Sequence, residues 1–232
     1  MFFFVIHYTY LSANDVILAP EADPHYIKTG FFDIHVCNWP GRKLFFMSLF
    51  STYDYNNIEK IEVFTPDNNK LGEIGSNKYK IITQKGKPEK RVFISQLEIP
   101  DPVVDGWYRA IVTMKDGGKY EAKDYVILAR MGMPDDLQPK ENTILKDIPG
   151  KLSWKPVPGA KHYKVFIKDS WEQRTIHTSK VLDKPELILP KGLLKKGGIY
   201  NWMIHVRDVN ENALLGDFNH GSLNTPIEFT IE

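Results

Sequence analysis

The chain has 232 residues with a hydrophobic fraction of 42% and a charged fraction of 25%, values that exclude general disorder. Lys and Arg total 30 against 29 Asp and Glu, a formal charge of +1, so no single-sign field is available and a general nucleic-acid binder is excluded. Cys37 is the single cysteine, which excludes a disulfide within the chain.

The first six residues are strongly apolar, Tyr8, Tyr10 and Leu11 follow, and Leu11-Ser12-Ala13 has the character of a signal-peptidase site, although no basic residue precedes the run. The segment is expected to be a secretory-signal remnant, which places the protein outside the cytoplasm (secreted, periplasmic or on the cell surface), or else an edge strand. No later stretch approaches the roughly 18 apolar residues of a membrane span. Residues 14–30 read as an extended lead-in with Pro20 and Pro24. Phe32, Ile34 and Val36 alternate with Asp33, His35 and Cys37, so a strand over 31–38 buries one face and turns the other outward. Pro40-Gly41 is a turn, and residues 43–50 are almost continuously apolar, as in a strand covered on both sides.

Over 58–65, Ile61 and Val63 point inward and Lys60 and Glu62 outward. Pro66-Asp67-Asn68-Asn69 then closes a hairpin, because Asn and Asp tolerate left-handed backbone. Further strands are expected over 78–83, 91–98, 106–115 and 119–128, with Tyr108, Ala110 and Val112 on an inner face. About seven closely spaced strands with turn signals between them make an immunoglobulin-like sandwich. The run D-G-W-Y-R-A-I-V ending at Val112 is loosely similar to the late core strand of bacterial Ig-like modules. Between 129 and 143 the rhythm breaks, and Gly132, Pro134, Asp135, Asp136 and Pro139 cluster in a semi-rigid connector. The expected division is an N-terminal segment 1–30, an Ig-like sandwich 31–130, a linker 131–143 and a second sandwich 144–232.

The second sandwich is organised around residues 200–208, where Tyr200, Trp202, Ile204 and Val206 share one face and Asn201, Met203, His205 and Arg207 the other. Leu152-Ser153-Trp154 precedes Pro156, Pro158 and Gly159, and Tyr163, Val165 and Ile167 mark the next strand. In order and spacing, Trp154, Tyr163 and Tyr200 resemble the fibronectin type III family over about 138–232. The resemblance implies a core Trp154 and a tyrosine corner in which the Tyr200 phenol bonds to upstream backbone. The whole chain is therefore expected to be all-β, two tandem immunoglobulin-like and fibronectin type III-like sandwiches. A departure from that family is the long loop expected over 209–224 before a last strand at 225–231.

That loop, with the end of the preceding strand, offers Asp208, Asn210, Asn212, Asp217, Asn219 and His220 as a candidate binding set. Asp208, Asn210 and Asn212 repeat the opening spacing of a calcium loop, but neither the turn glycine nor the closing Glu follows, so an EF-hand is rejected and only a looser calcium or glycan site is retained. Trp171, in a turn after Asp169-Ser170, and Tyr53 and Tyr55, beside Asp54, are candidate stacking platforms for a sugar, with covering of the sandwich ends as the plainer reading. The seven histidines show no metal-binding spacing, so no metal is expected. His35 and Cys37 share a strand face and form a conceivable base and nucleophile, but a structural cysteine is favoured. With no nucleophile elbow, phosphate loop or dinucleotide fingerprint, no catalytic residues are assigned. The expectation is a non-enzymatic extracytoplasmic recognition or scaffolding module with a protein or glycan partner. The alternative is an accessory region of an extracellular carbohydrate-active enzyme, and a hydrolase with its site between the domains is the third reading.

Overall fold

The computed structural model describes residues 23–102, 104–208 and 218–232, in which all regular structure is β. Nine strands precede the connector: β1 (Tyr26–Ile27), β2 (Gly30–Asn38), β3 (Phe45–Thr52), β4 (Ile58–Phe64), β5 (Lys70–Glu73), β6 (Tyr79–Ile82), β7 (Lys90–Glu98), β8 (Gly106–Met114) and β9 (Lys119–Val126). Eight follow: β10 (Thr143–Leu145), β11 (Lys151–Ser153), β12 (His162–Asp169), β13 (Arg174–Thr178), β14 (Glu186–Ile188), β15 (Ile199–Arg207), β16 (His220–Leu223) and β17 (Ile227–Ile231). The all-β class read from the periodicity is the class observed.

In the first sandwich a sheet ordered β2-β3-β7-β6 packs on a sheet ordered β5-β4-β8-β9. Pairing of Phe32 with Phe50 and of Phe50 with Phe93 lines three phenyl rings across the inner face of one sheet. Ile61, Val63, Tyr108, Ala110 and Val112 meet them from the other, a burial worth ~1.5–3 kcal/mol for each large apolar side chain. Asn68 takes the left-handed φ of 67° in the turn between β4 and β5, as its residue type allows.

The second core gathers Leu152, Trp154, Tyr163, Val165, Ile167, Trp202, Ile204 and Phe229 between the small β11-β14 sheet and the strands β12, β15 and β17. Trp154 stacks edge-on against Tyr163 at 5.2 Å. The corner expected at Tyr200 is present, for the Lys195 N–H donates to its hydroxyl at 2.9 Å. The first core repeats the device: the Tyr108 hydroxyl donates to the Val104 carbonyl, four residues upstream, at 3.0 Å. Each apolar cluster is continuous within itself, and the chain passes from one to the other between Leu128 and Met131.

Two expectations are corrected. Residues 209–224 are not loop throughout, because 220–223 form β16. This strand pairs antiparallel with β15 on one side and parallel with β2 on the other, joining the two sandwiches into one sheet. The reason is hydrogen bonding: the ends of β15 and β2 both present open backbone edges, and a short strand between them satisfies both. The second correction follows from the first. Asp33, His35 and Cys37, expected on an outward face, are as buried as Phe32, Ile34 and Val36, and the ring of Phe218, just before β16, lies over His35 on that side of β2.

Candidate functional site

The junction is built from β2, the end of β15 and β16. Register places Arg207 opposite Gly221 and Gly221 opposite Cys37. A side chain at Gly221 has no room, for a Cβ there would meet His205 Nε2 and the Phe218 ring at 2.7 Å each. In the space so kept, Phe218 packs on His35 at 3.9 Å between ring centres with the two planes tilted by 39°, meets His205 edge-on at 5.2 Å and carries the Arg207 guanidinium 4.8 Å above its face.

Under Phe218, His35 Nδ1 lies 2.7 Å from Asp33 Oδ2. Burial opposes the charged imidazole of His35, but the Asp33 carboxylate outweighs it and pushes the histidine up to about 10. Burial also pushes the Asp33 carboxyl up, against the pull of His35. The pair therefore keeps a proton between Nδ1 and Oδ2 at neutral pH. His205 goes the other way: burial first, then Arg207, drive it well below the usual imidazole range. Arg207 Nη2 donates to its Nδ1 across 3.4 Å, which puts the proton of the neutral ring on Nε2.

A polar clasp closes the junction on its other side. Asp208 Oδ1 accepts the backbone N–H groups of Asn219 and His220 at 3.0 Å each, and its Oδ2 lies 2.7 Å from His220 Nδ1. His220 Nε2 reaches the Ile127 carbonyl at 2.5 Å. Burial disfavours the charged ring of His220, but the bonds to Asp208 and to Ile127 prevail, and its pKa is raised. Asn38 donates to the Met131 carbonyl at 2.8 Å and Ser222 to the Gly132 carbonyl at 2.6 Å, so the connector is bonded to β2 and β16 along its first residues.

The joined sheet is concave on the face away from both cores and encloses a groove of about 580 Å³, within the ~300–1,000 Å³ of small-molecule sites. Its floor is apolar, with Met47, Leu49 and Ile94 from the first sandwich and Phe166, Met203 and Leu223 from the second. Its charged lining is cationic, from Lys80, Lys164 and Arg207, beside the imidazoles of His35 and His205 and the Thr178 hydroxyl, and among the described residues none of the three cations stands in a salt bridge. Burial, then Arg207 and Lys80, push the Lys164 ammonium down, so the three cations act on one another across the groove.

The candidates read from sequence are not brought together. Strand β12 runs eight residues from His162, opposite Arg207, to Asp169, opposite Tyr200. Trp171, 74% exposed in the turn beyond Asp169, therefore stands ~25 Å from the junction. That turn is pinned by Asp169 Oδ1, which accepts the N–H groups of Trp171 and Glu172. Tyr53 and Tyr55 follow the end of β3 remote from its junction residue Phe45. Tyr53 is 48% exposed, whereas Tyr55 packs on the first core with the Arg91 guanidinium 3.9 Å above its ring. Asp208, Asn219 and His220 do meet, as the clasp, with the Asp208 carboxylate engaged by the chain itself. Asn210, Asn212 and Asp217 lie outside the described residues. Among the described residues no group of three or more His, Cys, Asp or Glu is placed to hold a metal ion.

Sequence reasoning missed the groove, whose lining comes from eight strands of both sandwiches. It also passed over Trp107 and Tyr125, which pair at 5.2 Å on the outer face of the first sandwich. Their signal was legible, since each occupies the non-core phase of its strand. Asp33, His35 and Cys37 form a row of carboxylate, imidazole and thiol, but Cys37 is 1% and His35 2% exposed beneath Phe218. The row is thus the polar interior of the junction, with His35 and Cys37 at the edge of the groove.

No family model and no curated protein matches the chain. Among solved structures, Salmonella alpha-2-macroglobulin reacted with methylamine aligns at 12% identity and a TM-score of 0.29, covering 90% of this chain and 15% of that one. Dimeric latent PorU from Porphyromonas gingivalis aligns at 11% identity and a TM-score of 0.30, covering 89% and 20%. Murine CEACAM1b aligns at 11% identity and a TM-score of 0.27, covering 87% and 100%. The chain thus spans about 15% of the length of the alpha-2-macroglobulin, and scores of this size carry no argument about activity.

Proposed function

We propose that the chain is a non-enzymatic recognition module, immunoglobulin-like in its first sandwich and fibronectin type III-like in its second, working outside the cytoplasm. The site of recognition is the groove on the shared sheet. One observation carries this reading: an apolar concavity built by both sandwiches is lined by three cations, none of which stands in a salt bridge among the described residues. Like charges gathered on one surface repel one another, and a complementary anionic partner relieves that repulsion on binding. The extracytoplasmic setting is supported by the apolar residues 1–6 and the Leu11-Ser12-Ala13 run.

Thermal unfolding of the full chain, alone and with glycans, calcium, acidic peptides and small organic anions, tests the reading. A ligand at about a hundred times its dissociation constant adds ~2.7 kcal/mol. Stabilisation by an anionic ligand that is lost in the Lys164→Glu variant supports the groove. Stabilisation by a glycan that survives Lys164→Glu and is lost in Trp171→Ala favours the second reading, an accessory module of a carbohydrate-active enzyme. That reading draws on the exposure of Trp171 at a turn tip.

A further inference from the structure

The composition of the groove narrows the partner. A bound peptide would bring a donor and an acceptor per residue into the site, each of which needs a partner once buried. Thr178 alone among the lining side chains carries a hydroxyl, and none carries a carboxylate or carboxamide. The lining is therefore rich in N–H donors and poor in side-chain acceptors, which suits a carboxylate, whose polar atoms only accept, better than a row of amides or sugar hydroxyls, which also donate. Its apolar part combines rings, Trp39, Phe166 and Phe218, with adaptable side chains, Met47 from one sandwich and Met203 from the other, and Leu49 paired with Ile94 across β3 and β7. Unbranched thioether side chains suit a flexible chain better than a rigid ring.

The cations sit on strands from both sandwiches, Lys80 on β6, Lys164 on β12 and Arg207 on β15. Arg207 is itself positioned by the Phe218 ring and by His205, so its guanidinium is fixed before any ligand arrives. A carboxylate among these three groups would gain charge-assisted hydrogen bonds in a partly dry setting. Its hydrocarbon tail would displace water from the methionine-lined floor, at about 0.8 kcal/mol per buried methylene.

We infer that the groove binds a small aliphatic carboxylate, a fatty-acid-like amphiphile, with its head group among Lys80, Lys164 and Arg207 and its chain along Met47, Leu49, Ile94 and Met203. This inference rests on the groove being the recognition site proposed above.

The test is calorimetric titration of the full chain with dodecanoate below its micelle concentration, with butyrate and dodecylammonium as controls. The account expects saturable one-to-one binding of dodecanoate, at least tenfold weaker binding of butyrate, and none of dodecylammonium. Lys80→Glu with Lys164→Glu, two side chains outside both cores, is expected to weaken dodecanoate at least tenfold while the circular dichroism of the fold is kept. Leu49→Trp, which fills the floor, is expected to weaken dodecanoate more than butyrate. Equal affinity for butyrate and dodecanoate, or dodecanoate binding untouched by the charge reversal, overturns the inference. If dodecanoate does not bind while an acidic peptide stabilises the chain and loses that effect in Lys164→Glu, the amphiphile is wrong and the groove stands. If neither anion binds, both fall.

Discussion

The exposed turn tips and the buried junction are two polar-aromatic regions of opposite character. Trp171 and Tyr53 are large rings at strand ends, open to solvent and held by local bonds such as those of Asp169. Phe218, His35 and His205 are rings in mid-sheet, closed off by a strand that arrives from more than 180 residues away in the chain. The first region is assembled by its own few residues, and the second exists only when both sandwiches are folded and joined. Exposure at a turn is thus a local property, while a built site in this protein is a property of the pairing between β2, β16 and β15. The contrast predicts that substitutions at the junction are costly and that those at the tips are not.

The largest effect is expected at Asp33. Asp33→Ala leaves the charge on His35 buried without its partner, which costs ~3–5 kcal/mol in urea unfolding, whereas Trp171→Ala should fall within ~0.5 kcal/mol of the parent, as for an exposed side chain. Equal losses at the two positions would erase the distinction drawn here. Gly221→Ala comes next: its new methyl group meets His205 and Phe218 at 2.7 Å, and overpacking of that kind costs ~1–3 kcal/mol. Gly150→Ala, with open space around it and no left-handed φ, is its control for the loss of a glycine alone.

The two tyrosine corners sharpen the comparison inside the cores. Tyr200→Phe removes the hydroxyl's bonds to the Lys195 backbone and Tyr108→Phe its bond to the Val104 carbonyl, with an expected loss of ~1 kcal/mol apiece by chemical denaturation. A loss confined to Tyr200 would show the first corner to be incidental.

The smallest effect is one of pH. His220 has its folded pKa raised by Asp208 and Ile127 over the opposing effect of burial. Its contribution is therefore complete below the unfolded value near 6.5 and declines as pH rises through the folded value. The stability difference between the parent chain and His220→Gln should be widest in mildly acidic solution and narrow towards alkaline pH. A difference that widens with rising pH would contradict the protonated clasp.

Much of this was legible in the sequence because it is local. The alternation at Tyr200, Trp202, Ile204 and Val206 dictates which side chains enter the second core, and the Asn68 turn and the Tyr200 corner follow from residue type at fixed spacing. The junction was not legible, for a physical reason. Periodicity at Asp33, His35 and Cys37 shows that these residues leave the first core, and polar side chains leaving a core ordinarily meet water. Only the pairing of Gly221 with Cys37 and Arg207, set by contacts remote in sequence, turns that face into an interior. His-Gly-Ser-Leu at 220–223 has little strand propensity and two turn formers, so nothing local announces β16. The cations of the groove lie on three strands far apart in the chain, and their convergence is set only by the pairing of the whole sheet.

The measurement that bears most directly on the shared sheet is hydrogen exchange of the backbone amides at residues 34–38 and 218–223. Val36 N–H donates to the Asn219 carbonyl at 2.9 Å, at the start of the β2 and β16 ladder. The account predicts that amides in both segments exchange as slowly as those of β15, with protection lost together in Gly221→Ala. Rapid exchange across 218–223 beside fully protected β2 and β15 would contradict it, and would leave two separate sandwiches with no groove between them.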